Sequence, residues 1–385
     1  MYEFVSGVDA VSLTSGERER YQRHLALGEI GPAGQEKLKA ARVLVVGAGG
    51  LGSPAALYLA AAGCGTLGLL DCDRVDLSNL QRQVLFDTAS IARSKAEAGR
   101  ERLVGLNPEI RIIAHDVELK AANVRELFAQ YDLVIDGTDR LATRYLINDA
   151  CVILERPLVS AAIHRFEGQL MTYVPGGGPC YRCVFPDSAS AMVANCSQAG
   201  VLGVLPGVLG ALQATEAIKL ITGVGEPLVG RLLTYDALDM RFNEFHISRR
   251  SDCAVCGDAP SITEPRDAPV IRAAAAAPGV RRLTPGALRE LLSARGELPL
   301  LIDVREVHEF SAGHLQGSVN IPLGELPQRL EEIAPDSAPV FICRSGGRSF
   351  AACQLALRAN VASPANLEGG LLAWASEVDP EVRVL

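Results

Sequence analysis

The sequence predicts an α/β protein in two parts, a doubly wound parallel sheet followed by a smaller α/β unit. Three observations carry this prediction. Short apolar runs alternate with helical stretches from residue 42 onward, as strands buried on both faces do. A glycine-rich turn, Gly47-Ala48-Gly49-Gly50-Leu51-Gly52, follows the first run, where a helix would open beneath a bound phosphate. Over residues 258–282 the composition changes: prolines and an alanine run at 273–277 show no apolar periodicity. That stretch reads as a linker, dividing a domain at 1–257 from one at 283–385.

The elements follow in order. Residues 17–40 are charged and helical in pattern, with Gly31-Pro32 as a break. Arg42-Val43-Leu44-Val45-Val46 is a buried strand, followed by the glycine turn and an alanine-rich helix to residue 62. Strands are expected at 66–70, ending at Asp71, and at 110–114 and 133–135, with helices around 95–103 and 122–130. The most apolar stretch, 201–212, holds Gly203, Pro206, Gly207 and Gly210, which suits a buried loop and helix better than a membrane span. The second unit begins at Leu283-Thr284-Pro285. One of its strands ends at Asp303-Val304-Arg305, and another, 340–342, runs into Cys343.

The length of 385 residues suits a large domain plus a smaller one. The hydrophobic fraction of 48% and charged fraction of 21% are those of an ordinary globular protein. A net charge of −8 argues against a general nucleic-acid or anionic-membrane surface. The start Met1-Tyr2-Glu3-Phe4 lacks the pattern of a secretory signal. The expectation is a cytoplasmic protein with neither nucleic acid nor membrane as partner. In that compartment ten cysteines imply metal binding or catalysis more readily than disulfides.

Gly47, Gly49 and Gly52 have the G-x-G-x-x-G spacing, which lets backbone approach a phosphate. Asp71, ending the next strand, can bond a ribose. By themselves these features fit a nicotinamide- or flavin-binding domain equally well. Two Cys-x-x-Cys pairs, Cys180/Cys183 and Cys253/Cys256, can supply four thiolates for a closed structural zinc site, with redox disulfides as the alternative. Cys64, Cys72, Cys151 and Cys353 sit in apolar or strand contexts and read as core.

Several motifs bear a further resemblance. Arg20-Tyr21-Gln22-Arg23, the run Ser78-Asn79-Leu80-Gln81-Arg82, Lys95, Asp136-Gly137-Thr138-Asp139 and Cys180-Tyr181-Arg182-Cys183 resemble the ThiF/MoeB/HesA superfamily of ubiquitin-activating-like adenylating enzymes. The resemblance implies a Rossmann-like sheet that binds ATP with Mg²⁺ and adenylates the C-terminal glycine of a small ubiquitin-fold protein. It implies that Gly47, Gly49, Gly50, Gly52, Asp71, Ser78 and Asn79 hold the nucleotide, that Arg82 and Lys95 contact its phosphates, and that Asp139 carries the magnesium. Arg23 would reach the nucleotide of a neighbouring subunit, which implies a homodimer. The family usually has Asn where this chain has Arg140, which could contact phosphate instead. Cys196, in Ala194-Asn195-Cys196-Ser197, matches a cysteine that can bond covalently to the carrier's C-terminus; the alternative is a buried inert thiol.

Residues 283–385 resemble a rhodanese sulfurtransferase domain, through Leu301-Ile302-Asp303-Val304-Arg305, Gly313-His314-Leu315-Gln316-Gly317 and the loop Cys343-Arg344-Ser345-Gly346-Gly347-Arg348. The resemblance implies that Cys343 carries a persulfide, cradled by the loop amides and helped by Arg344 and Arg348. The spacing Cys-x₄-Arg is shorter than the Cys-x₅-Arg of cysteine phosphatases. Asp303 and Arg305 read as an internal ion pair and His314 as a residue of the fold. Together the halves imply a bifunctional enzyme that adenylates the terminal Gly-Gly of a sulfur carrier. It would then place on that carboxylate a sulfur drawn from thiosulfate or a cysteine desulfurase. The rivals are activation of a ubiquitin-like protein for conjugation, and a carrier-binding scaffold without chemistry.

Overall fold

The computed structural model describes residues 12–186, 200–267, 280–293, 299–344, 346–382 and 384. The chain divides into two compact units, residues 1–270 and 271–385. In the first, strands β1 (Arg42–Val46), β2 (Thr66–Leu70), β3 (Arg111–His115), β4 (Leu133–Asp136), β5 (Leu158–His164), β6 (Glu167–Tyr173), β7 (Arg231–Asp236) and β8 (Arg241–His246) form one sheet. Its order is β3-β2-β1-β4-β5-β6-β7-β8. The strands from β3 to β5 pair in parallel, and β6, β7 and β8 extend the sheet antiparallel. The chain goes from β1 out to β2 and β3, then returns to β4 on the other side. That reversal opens a crevice at the carboxyl ends of β1 and β4, where open α/β sheets bind ligands.

The strands expected at 42–46, 66–70 and 133–135 form because each is apolar on both faces, while the edge strand expected at 110–114 runs 111–115 with Arg111 exposed. Along β1, Val43 and Val45 join a core on one face, with Leu59 of the helix Gly52–Ala61 and Leu209 and Ala217 of the helix Leu205–Thr222. Leu44 and Val46 join Phe128, Leu146 and Ile147 on the other, as a side-chain period of two requires. The stretch 201–212 thus enters a buried helix beginning at Leu205, and among the described residues no helix is long and apolar enough to cross a membrane. Gly31-Pro32 opens the helix Gly31–Ala40 rather than breaking one. Proline is tolerated in the first turn because its missing N–H is unpaired there anyway.

The second unit holds β9 (Arg281–Leu283), β10 (Leu301–Asp303), β11 (Val319–Asn320), β12 (Val340–Ile342) and β13 (Ala365–Leu367). Their order is β11-β10-β12-β13-β9, every pairing parallel. Within the stretch that composition reads as a linker, Ile262 is buried in the first unit's core, and Arg281 and Arg282 open the edge strand β9 of the second sheet. Proline-rich composition hides such contacts because it carries no period.

Candidate functional site

The crevice is a cleft of about 580 Å³ lined by Gly47, Gly49, Gly50, Asp71, Arg82, Lys95, Asp139 and Arg140 among others. Gly47 is left-handed, with φ of +87°, and a Cβ there would lie 2.9 Å from the Gly137 carbonyl. A Cβ on Gly52 would strike the Gly47 carbonyl oxygen. These positions need glycine for close backbone approach, and they bring the start of the Gly52–Ala61 helix to the cleft wall, the kind of helix end that suits an anion. Asp71 closes the turn from β2. Its carboxylate accepts from the Ala48 N–H at 2.8 Å and the Asp73 N–H at 2.9 Å. Burial pushes this carboxyl above its usual range, against the pull of Lys95.

Lys95 is only 5% exposed, with Nζ 3.4 Å from Asp73 Oδ2, so its charge is held at the cleft wall. Arg82 donates to the Ser78 carbonyl at 3.1 Å. Ser78 in turn donates to Asp76 through its N–H at 2.8 Å and its hydroxyl at 2.5 Å, and Asn79 donates to Ser78 Oγ at 3.3 Å. Ser78 and Asn79 do not line the cleft; they shape the turn that presents Arg82. Gly52 likewise works from behind the lining, and Arg23 lies outside it. Arg140 is largely exposed, 3.9 Å from Glu118.

The sequence reading missed Arg144. It is buried in the first turn of the helix Leu141–Ile153. Its Nε lies 3.2 Å from Asp136 Oδ2, and its Nη2 donates to the Thr138 carbonyl at 2.7 Å. Asp136 also accepts from Thr138 and Ser160. Arg144 therefore clamps the Asp136-Gly137-Thr138-Asp139 turn. The available signal was a cation one turn into the helix that follows it. Cys72 is a second departure: it is exposed and lines the cleft, because it follows the end of β2 and leaves the core. The other three thiols read as core are buried, and burial pushes Cys64 and Cys353 up to about 12.

The sulfurs of Cys180, Cys183, Cys253 and Cys256 all lie within 4.8 Å of one another, with 3.6 Å between Cys180 and Cys253 and 3.3 Å between Cys183 and Cys256. A tetrahedron of thiolates around zinc has edges of about 3.8 Å, so the four residues fit that ion. They leave no open position. The first pair is anchored by the helix Leu141–Ile153: the Tyr181 N–H donates to Asn148 at 2.7 Å, and Arg182 forks onto Asp149 at 2.7 and 2.8 Å. Tyr181 lines the cleft and packs beneath the Arg144 guanidinium at 5.7 Å.

In the second unit, β12 delivers Cys343 into a turn and the helix Gly347–Arg358 follows. Cys343 is fully buried, and its sulfur accepts from the Gly346 N–H at 3.1 Å. Gly346 has φ of +91°, which turns that N–H inward. Arg348 does not reach into the loop with its terminal nitrogens. Both donate to Glu309, at 2.7 and 2.8 Å. Asp303 and Arg305 form the expected internal pair, fully buried at 2.8 Å, and His314 stacks on Phe310. Cys196 and Ser345 lie outside the described residues.

A glycine-rich turn at a cleft on one sheet and a buried cysteine in a turn on the other are the parts of an enzyme that activates an acid with a nucleotide and handles sulfur. Residues 21–255 match the ThiF family and residues 284–377 the Rhodanese-like domain; the chain belongs to the ThiF family, as the Ser78-to-Arg82 run implied. It is 43% identical to the probable adenylyltransferase/sulfurtransferase MoeZ of Mycobacterium tuberculosis, covering 97% of this chain and 96% of that one. It is 42% identical to the adenylyltransferase and sulfurtransferase MOCS3 of Aedes aegypti, over 97% and 90%. A crystal structure of E. coli MccB with ATP is similar, with a TM-score of 0.56 and 25% identity over 63% of this chain and 75% of that one.

Proposed function

We propose that this enzyme adenylates the C-terminal Gly-Gly carboxylate of a ubiquitin-fold sulfur carrier and replaces one of that carboxylate's oxygens with sulfur. The observation that carries the reading is the cleft. Its phosphate end gathers Gly47, Arg82, Lys95 and Asp139, and the same cavity continues over β5, β6 and β7 to His164, Gln169 and Thr234. Such a cavity holds a nucleotide at one end and an extended glycine tail along the other.

The carboxylate attacks the α-phosphate of ATP and pyrophosphate leaves. Arg82 and Lys95 offset the charge that builds on the phosphate oxygens, fixed in place before the reaction and partly shielded from water. Asp139 would hold Mg²⁺, which screens the same oxygens. Arg144 keeps Asp139 in register, and Arg23 serves the cleft of a second subunit in a homodimer. The zinc knuckle holds Tyr181 in the cleft wall and takes no part in the reaction. The Cys343 persulfide then attacks the acyl-adenylate and AMP leaves, or it attacks a thioester that Cys196 has formed with release of AMP, and the Cys196 thiolate leaves. Two electrons from an external thiol reductant cleave the resulting acyl disulfide, freeing the carrier thiocarboxylate and the Cys343 thiolate. Thiosulfate or a cysteine desulfurase would reload the cysteine.

Intact-mass measurement of candidate Gly-Gly carriers, incubated with the enzyme, ATP, Mg²⁺ and thiosulfate, tests this. A mass gain of one sulfur in place of one oxygen, lost in Cys343→Ala, supports it. Pyrophosphate release with no carrier gaining that mass removes the sulfur-transfer half.

A further inference from the structure

Cys343 performs its role from an unusual position for a nucleophile: its sulfur is fully buried. Burial opposes the thiolate unless donors are aimed at it. The arginine that the loop spacing offers for the task is engaged elsewhere, since both terminal nitrogens of Arg348 are bound by Glu309. Among the described residues, two donors face the sulfur. One is the Gly346 N–H. The other is the Ser349 hydroxyl, 3.2 Å from Cys343 Sγ and also fully buried.

Ser349 is held there by the fold. It lies in the first turn of the helix Gly347–Arg358, and the loop is tied from the opposite side, where the Leu371 and Leu372 amides donate to the Cys343 and Arg344 carbonyls at 2.9 and 3.0 Å. Gly346 has no room to yield, because a Cβ there would lie 3.1 Å from the Gly369 nitrogen. The hydroxyl and the sulfur are thus held at contact from both sides of the loop.

We infer that Ser349 is a working part of the sulfurtransferase site: its hydroxyl donates to the Cys343 sulfur and stabilises it as the thiolate, a hydrogen bond that the terminal nitrogens of Arg348, held by Glu309, do not supply. The inference rests on the sulfur-transfer reading above. With thiosulfate, the Cys343 thiolate bonds to the outer sulfur, that atom's bond to the sulfonate sulfur breaks, and sulfite leaves with the electron pair. The persulfide gives its outer sulfur to a nucleophile such as cyanide, forming thiocyanate, and Cys343 departs as thiolate. The thiolate is the attacking group in the first half and the leaving group in the second, and Ser349 assists both.

The test uses the full chain with Ser349→Ala, Ser349→Thr and Ser349→Cys. Alkylation of Cys343 by iodoacetamide is followed by peptide mass spectrometry across pH, beside thiosulfate-to-cyanide transfer. Loss of a hydrogen bond to a charged group is expected to raise the alkylation midpoint in S349A by about one pH unit, a tenfold change in ionisation. Transfer near neutral pH falls about as much, and S349T moves both back toward the wild type. S349C keeps the side chain's shape with a weaker donor, so its midpoint lies between, and it serves where S349A does not fold. A midpoint unchanged in the Ala or Cys variant overturns the inference, as does a Thr variant that matches Ala. If the wild type moves no sulfur from thiosulfate, the thiosulfate reading falls, while the alkylation midpoints still decide the role of Ser349.

Discussion

Lys95 shows what a single side chain contributes in a cleft of this kind. At 5% exposure it is partly desolvated, so on the proposed role its charge would act on a phosphate through less water than a surface lysine's. Lys95→Ala is expected to lower carrier-dependent pyrophosphate release by about 10²–10³-fold, the usual cost of removing one preorganised donor. Arg144 works differently, because Asp136 beside it is fully buried. Removing the guanidinium leaves a buried carboxylate short of its counter-charge, and Arg144→Met should destabilise the first unit by about 3–5 kcal/mol. Thermal unfolding measures this directly. Neither property is visible in the string of residues. Lys95 and Arg144 each stand among many basic residues, and their burial depends on which strand and helix close over them.

Elements, not residues, carry the next effects. The Glu309–Arg348 pair joins the helices Val307–Ala312 and Gly347–Arg358. Burial pushes the Glu309 carboxyl up, but the hydrogen bonds from Arg348 and the Glu306 N–H, with the charges of Arg348 and Arg305, together hold the group below its ordinary value of 4.5. A carboxyl lowered on folding stabilises fully above its unfolded value, and the contribution is lost as pH falls through the lower folded value. The second unit should therefore lose stability below about pH 4.5, and Glu309→Gln should flatten that acid limb in unfolding temperatures measured against pH. The four-cysteine cluster, which fits zinc, is the first unit's counterpart. It joins the segment at 180–183 to the one at 253–256, and both pack against the same core as Leu146 and Ile147. A chelator or Cys183→Ser should lower the first unit's unfolding temperature, with zinc release read by a metallochromic dye.

The whole molecule has two sheets with separate cores, so calorimetry should resolve two transitions, and zinc removal should move only the one from the first unit. The local signals told the truth about this architecture. Apolar runs marked β1, β2 and β4 because parallel strands buried on both faces need no partner in view to be read. Glycine spacing placed the tight turn that lines the cleft, and Cys-x-x-Cys spacing placed the four sulfurs, because short-range geometry limits what such residues can do. Other features needed the chain folded. Cys72 left the core only because β2 ends before it. Arg348 met Glu309, and Ser349 met Cys343, only once helices and strand were packed. Sequence alone determined the two chemistries, since both are written in contiguous loops whose backbone shape follows from their residue types. Tertiary structure decided which charges serve them, because burial and pairing depend on residues brought together from distant parts of the chain.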